Sequence, residues 1–85
     1  MKNVEIYTGP LCIFCDWAKK LLERKGVPYK EIYIGDDLDK REEMLKKTNG
    51  SKTVPQIFID GKHIGGNDSL QDLERKGKLN SLLGI

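Results

Sequence analysis

Hydrophobic positions change their period repeatedly along this chain, and each change marks an element. Val4 and Ile6 alternate with Glu5 and Tyr7, the two-residue period of a strand, and Thr8-Gly9-Pro10 ends it. From Cys12 to Lys25 the period becomes helical. Phe14, Ala18, Leu21 and Leu22 fall on one face, Asp16 sits in the first turn, and Lys19, Lys20, Arg24 and Lys25 crowd the later turns. Gly26 is the expected stop and Pro28 bars continuation. A second strand is predicted over Tyr29 to Ile34, and a second helix over Leu38 to Lys47 with Met44 and Leu45 inward.

Gln56 to Ile59 reads as a third strand. Asp60-Gly61 is a hairpin signal, and Lys62-His63-Ile64 is the return strand. A third helix is predicted to start at Asp68, which with Gln71 resembles a capping box, and to stop at Gly77. Leu79, Leu82 and Leu83 form a last short turn of helix. The order βαβ, α, ββα predicts parallel first strands and an antiparallel hairpin. The fold class is therefore α/β: a four-stranded mixed sheet with helices on both faces.

Length bounds this picture. Eighty-five residues hold one modest core, and the absence of any linker or repeat predicts a single domain over residues 1–85. The chain is 38% hydrophobic and 33% charged, which excludes a disordered chain, and no apolar run approaches the ~20 residues of a spanning helix. The start, Met1 to Tyr7, lacks the apolar stretch of a secretory signal, so the expected location is the cytoplasm. Fifteen basic residues against thirteen acidic give a net charge of +2, and the charges interleave, as in Asp39-Lys40-Arg41-Glu42-Glu43. Neither nucleic acid nor membrane is expected as a partner.

Two cysteines, Cys12 and Cys15, carry the candidate chemistry. They are too few for a disulfide scaffold, and with the lone His63 they fall one ligand short of a zinc site unless carboxylates join. Three readings remain: an inert structural pair, half of a metal site shared with a second chain, or a redox pair. A C-x-x-C that follows a strand and a turn and opens a helix favours the third. Cys12 then lies at the helix N-terminus, where unpaired N–H groups and the positive end of the dipole stabilise a thiolate. Such settings bring a thiol from ~8.5 to as low as ~3.5–7.5. Cys15, almost one turn further and more buried, is the resolving thiol.

Three separated motifs carry a resemblance: Cys12-Ile13-Phe14-Cys15, then Thr53-Val54-Pro55, then Gly65-Gly66-Asn67-Asp68. In this order, and over nearly all of the chain, the sequence resembles the glutaredoxin family, specifically its short bacterial dithiol type. The resemblance implies a thioredoxin-like fold and a glutathione site. It implies a cis bond before Pro55, main-chain pairing of Val54 with the glutathione cysteinyl moiety, and a γ-glutamyl subsite formed by Gly66, Asn67 and Asp68. Thr53 belongs to the same stretch, and Lys52 stands where the family often carries Arg, facing either the glycyl carboxylate or solvent. Phe14 matches an aromatic position that flanks glutathione; its place on the Ala18–Leu21 stripe gives a competing reading as core. Trp17 reads as a partly exposed packing residue and His63 as a strand surface residue.

Two departures from the family pattern stand out. The commonest enclosed pair is Pro-Tyr, and here it is Ile13-Phe14; a Lys often precedes the first cysteine, and here Gly9 and Pro10 do. The implied function is a glutathione-dependent thiol–disulfide oxidoreductase acting on protein disulfides and glutathionylated cysteines. Glutathione is its co-substrate, and the protein is expected as a monomer. The alternative implied by the missing Pro is a [2Fe–2S] carrier, with Cys12 and the glutathione sulfur as ligands between two chains. Otherwise no metal is expected.

Overall fold

The computed structural model describes residues 2–85; Met1, where the reading for a leader segment begins, lies outside them. The elements are β1 (Val4–Thr8), α1 (Ile13–Arg24), β2 (Lys30–Tyr33), α2 (Leu38–Lys47), β3 (Gln56–Ile59), β4 (Lys62–Gly65), α3 (Asn67–Arg75) and α4 (Leu79–Leu83). The sheet order is β2-β1-β3-β4. β1 runs parallel to β2 and antiparallel to β3, and β3 and β4 form the antiparallel hairpin. This is the mixed α/β sheet that the element order predicts.

The strand period assigns the two faces. Val4 and Ile6 of β1 join Ile57 and Ile59 of β3 in a cluster with Ala18, Leu21 and Leu22 of α1, Leu70 of α3, and Leu79 and Leu83 of α4. Tyr7, Phe58, Ile32 and Ile34 point the other way and bury Met44 of α2. Helices thus cover both faces, and β3 is buried at every position because it is central and covered twice. Each fully buried Leu or Ile contributes about 1.5–3 kcal/mol.

Tyr7, placed among the polar positions by simple alternation, is fully buried. Its hydroxyl donates to the Glu43 carboxylate of α2. The Lys47 ammonium lies over the Phe58 and Tyr7 rings, 4.7 and 5.4 Å from their centroids. An aromatic body with one polar tip suits the α2 face, which is apolar in the middle and charged at the rim.

Two turns shape the site end of β3 and β4. Asp60 and Gly61 both have positive φ, 51° and 79°, as a two-residue type I′ hairpin requires. Further along, Phe58 faces His63 while Ile57 faces Gly65, so Ile64 is an extra residue on β4. This bulge bends the strand directly into α3.

Helix α3 begins one residue earlier than predicted. Gly66 is the N-cap, with no side-chain cap, and Asp68 lies in the first turn. The capping box is therefore absent; Gln71 donates instead to Asn67 Oδ1 at 3.1 Å. Phe14 corrects the α1 stripe: it is half exposed, and Cys15 takes the inward place beside Ala18. Leu45 of α2 is only partly buried.

Thr8, at the end of β1, is buried and donates to Glu31 Oε2 at 2.8 Å; Lys19 of α1 reaches the same oxygen at 3.1 Å. The Thr8 hydroxyl, helped by Lys19 and opposed by burial, holds the Glu31 carboxyl below its ordinary 4.5. A lowered folded-state value adds stability above the ordinary value and loses it as pH falls through the folded one. Thr8→Val should therefore cost about 1 kcal/mol near neutrality, roughly 4–8 °C, with solvent screening keeping it at the low end. The gap from wild type should close in acid. Melting curves across the acid range check this, and a gap independent of pH would assign the loss to packing.

Candidate functional site

The turn after β1 delivers Cys12 to the start of α1. Cys12 is the N-cap in extended backbone, φ −116° and ψ 99°, and its Sγ accepts from the Cys15 N–H at 3.1 Å. The sequence requires this arrangement: a helix leaves its first N–H groups without intrahelical partners, and a residue of extended backbone just before it can turn its side chain onto them. A reduced Cys12 sulfur placed so would hold negative charge against an N–H and the positive end of the helix dipole.

The sulfurs of Cys12 and Cys15 are joined in a disulfide, with Cα atoms 5.2 Å apart. Cys12 is partly exposed, whereas Cys15 retains only 2% of its surface and packs under the helix. An incoming sulfur reaches Cys12 first, and Cys15 lies behind it.

The second wall comes from the loop before β3. Cys12 Sγ lies 3.6 Å from the Val54 carbonyl oxygen, and the Val54–Pro55 bond is cis. Gly9 lets this loop approach, since a Cβ there would stand 3.1 Å from Val54 Cγ2. Gln56 secures it from below. This buried amide donates to the Thr53 carbonyl at 3.0 Å and the Thr53 hydroxyl at 3.3 Å, and its own oxygen lies 2.7 Å from His63 Nε2. His63 stacks on Phe58, so it is tied to the loop from the strand surface predicted for it.

The third wall is the start of α3. Phe14, Thr53, Val54 and Pro55 face Gly66, Asn67 and Asp68 across a groove of about 360 Å³. Asn67 is buried and Asp68 exposed. The three sequence-separated motifs therefore converge beside one sulfur. Lys52 is exposed and lies outside this lining, next to Thr53.

Several neighbours of the sulfur escape a sequence reading. Leu11 adopts φ 51° and is fully exposed, and with Ile13 and Phe14 it makes three exposed apolar residues flanking Cys12 in the chain. Phe14 meets Trp17 edge to face, with centroids 5.4 Å apart. A large apolar residue in a Gly-Pro turn is a faint signal for Leu11. For Gln56 the signal is stronger: one amide within a fully buried strand must find partners. Among the described residues no His, Cys, Asp or Glu cluster is placed to hold a metal ion.

Comparison with known proteins agrees with this geometry. The family model described as Glutaredoxin matches residues 4–64. The chain is 53% identical over 83 residues to Glutaredoxin 3 of Escherichia coli K12, covering 98% of this chain and 99% of that protein. It is similar to the solution structure of glutaredoxin from Brucella melitensis, with TM-score 0.83 and 47% identity over 98% of this chain and 89% of that one. It is also similar to a buckwheat glutaredoxin–glutathione complex, with TM-score 0.84 and 33% identity over 98% of this chain and 77% of that one. A dithiol at a helix N-terminus, a cis-proline loop beside it and relatives that match from end to end lead to one conclusion: the chain belongs to the glutaredoxin family of thiol–disulfide oxidoreductases.

Proposed function

We propose that this protein reduces protein disulfides and glutathionylated cysteines with glutathione as co-substrate. The observation that carries the reading is the Cys12 sulfur 3.6 Å from the Val54 carbonyl oxygen, with Val54 and the start of α3 lining one groove. The similar buckwheat glutaredoxin was solved with glutathione, which supports the same co-substrate here.

In this reading the Cys12 thiolate attacks a substrate sulfur. The substrate S–S bond breaks, its leaving thiolate takes a proton from water, and a mixed disulfide remains on Cys12. Cys15, once deprotonated, attacks the Cys12 sulfur and releases the second substrate thiol. Two electrons pass from the dithiol to the substrate, and the Cys12–Cys15 disulfide forms. Two glutathione molecules return the pair to the dithiol and leave as glutathione disulfide. A glutathionylated substrate needs Cys12 alone, because attack on the glutathione sulfur frees the protein thiol and a second glutathione clears Cys12.

Val54 pairs with the glutathione cysteinyl main chain in the manner of an added strand. The α-carboxylate of the γ-glutamyl end meets N–H groups at the start of α3, and Asp68 meets its α-ammonium. Thr53 and Pro55 shape the floor, Phe14 gives an apolar side, and Lys52 answers the glycyl carboxylate from the rim. The protein works as a monomer in a compartment that keeps thiols reduced, the cytoplasm. No helix among the described residues is long and apolar enough to cross a membrane.

Asp68 provides the test. It does not cap α3. Asp68→Asn should then leave the melting temperature within a few degrees, losing only a dipole contribution of roughly 0.3–1 kcal/mol. A charge-assisted hydrogen bond is worth roughly 1.5–3 kcal/mol, so the Michaelis constant for glutathione should rise about tenfold to a hundredfold in a coupled assay. An unchanged constant would remove Asp68 from the site. Iron–sulfur absorbance in anaerobically purified protein, lost in Cys12→Ser, would instead favour the cluster-binding alternative.

A further inference from the structure

Helices α1 and α3 leave a second groove between their outer sides, a trough of about 510 Å³. Trp17, Lys20 and Arg24 line it from α1, and Asp68, Gln71 and Arg75 from α3. Asn67 and Asp68 border both this trough and the groove beside Val54, so the two adjoin. Three cations face one carboxylate. Arg75 pairs with Asp72 at 3.0 Å, an acid already shared with Lys76 at 2.9 Å. Among the described residues Lys20 and Arg24 have no acidic partner, although neighbouring Lys19 and Lys25 do. Lys20 and Arg24 stand one turn apart and so present their charge along one row. Trp17, half exposed, forms an apolar wall at the end nearest Phe14.

A cleft lined by one sign of charge concentrates ligands of the other. Because the trough adjoins the groove lined by Val54, whose carbonyl oxygen lies 3.6 Å from Cys12 Sγ, its occupant is a chain already engaged at that sulfur. In the glutathione orientation described above, the end that precedes the cysteinyl residue lies at Asp68. A protein substrate running in the same direction carries the residues before its attacked cysteine past Asp68 and into the trough. Asp68 disfavours an acid immediately next to the cysteine, and the cations beyond it favour acids further upstream.

We propose that the α1–α3 trough docks an acidic segment that precedes the attacked cysteine of a protein substrate, with Lys20, Arg24 and Arg75 supplying the charge and Trp17 the apolar wall. The inference rests on the thiol–disulfide reading and its glutathione orientation, and adds a substrate preference to them. The covalent step is unchanged: two electrons pass from the Cys12–Cys15 dithiol to the substrate disulfide.

The test uses pre-reduced protein and three peptides that share one cystine loop. One carries a glutamate tract before the first cysteine, one a glutamine tract there, and one a glutamate tract after the second cysteine. Trp17, the only tryptophan in the chain, reports single-turnover rates by its emission. The first peptide should react about tenfold faster than the other two at low ionic strength, within the range that electrostatic steering supplies. The advantage should vanish in about 1 M salt, where the screening length is about 3 Å. It should also vanish in Arg24→Gln/Arg75→Gln, which should reduce the glutamine peptide at the wild-type rate. Equal rates for the first two peptides would overturn the proposal while leaving the thiol–disulfide reading intact. An equal gain from the downstream tract would overturn its direction. Slower glutathione-coupled turnover in the double variant would assign the arginines to glutathione and overturn it as well. If no peptide were reduced, the parent reading would fall with it.

Discussion

Cys12→Ser should reduce neither protein disulfides nor glutathionylated peptides above the uncatalysed background. A serine hydroxyl is no leaving group in a disulfide and forms no thiolate, so the first step has no substitute. Cys15→Ser should behave differently. Reduction of a glutathionylated peptide should persist at close to the wild-type rate, because that cycle needs only Cys12. Reduction of a protein disulfide should fall about a hundredfold or more, since an attack from a neighbouring side chain is replaced by a bimolecular one. The geometry behind this asymmetry is the exposure of Cys12 and the 2% exposure of Cys15 behind it. Iodoacetamide followed by peptide mapping of the reduced protein should find Cys12 labelled first. Preferential labelling of Cys15, or a Cys15→Ser variant dead on both substrates, would reverse the roles.

Gly65→Ala should damage both the fold and the groove. Gly65 has φ 123°, a conformation side chains rarely adopt, at the bulge that bends β4 into α3. A Cβ there would stand 2.7 Å from Ser69 Oγ and 3.1 Å from Ser69 Cβ. Holding a non-glycine residue in such a region costs on the order of 1–3 kcal/mol, and one kcal/mol is worth roughly 4–8 °C at this size. If the chain relieves the strain by moving, the start of α3 moves, and Gly66, Asn67 and Asp68 move with it. The melting temperature should therefore fall and the Michaelis constant for glutathione rise together. Adding Ser69→Ala removes the nearest contact and should recover part of the stability, leaving the loss due to φ alone. A Gly65→Ala protein that melts and turns over like wild type would show that the bulge accommodates a side chain.

Much of the molecule is legible in the sequence, for identifiable reasons. The strands and helices follow from period and punctuation, because their residues meet mostly local requirements. Asp60-Gly61 fixes a hairpin since both positions need positive φ, which Gly adopts freely and Asp tolerates. Cys12 and Cys15 are readable because a C-x-x-C after a turn sets one sulfur at a helix end and the other almost a turn inside it. The resemblance placed the three motifs in one site, and the structure brings them to one groove.

What escaped the sequence depends on neighbours distant in the chain. Tyr7 is buried because α2 covers the second face of the sheet, and of the two readings for Phe14 the structure takes the exposed one, because Cys15 turns inward instead. Asp68 keeps its place by the groove but not its role as a cap, because the β4 bulge starts α3 early enough for Gly66 to take that position. The Gln56 link between Thr53 and His63 joins a loop to a second strand, and the trough between α1 and α3 exists only once those helices pack side by side. Sequence by itself determined the elements, the reactive pair and the family, since these rest on backbone preference and short motifs. Tertiary structure alone decided which face each aromatic occupies, what holds the Val54 loop and which cations stand without a partner, because those outcomes depend on distances between segments that no local pattern encodes.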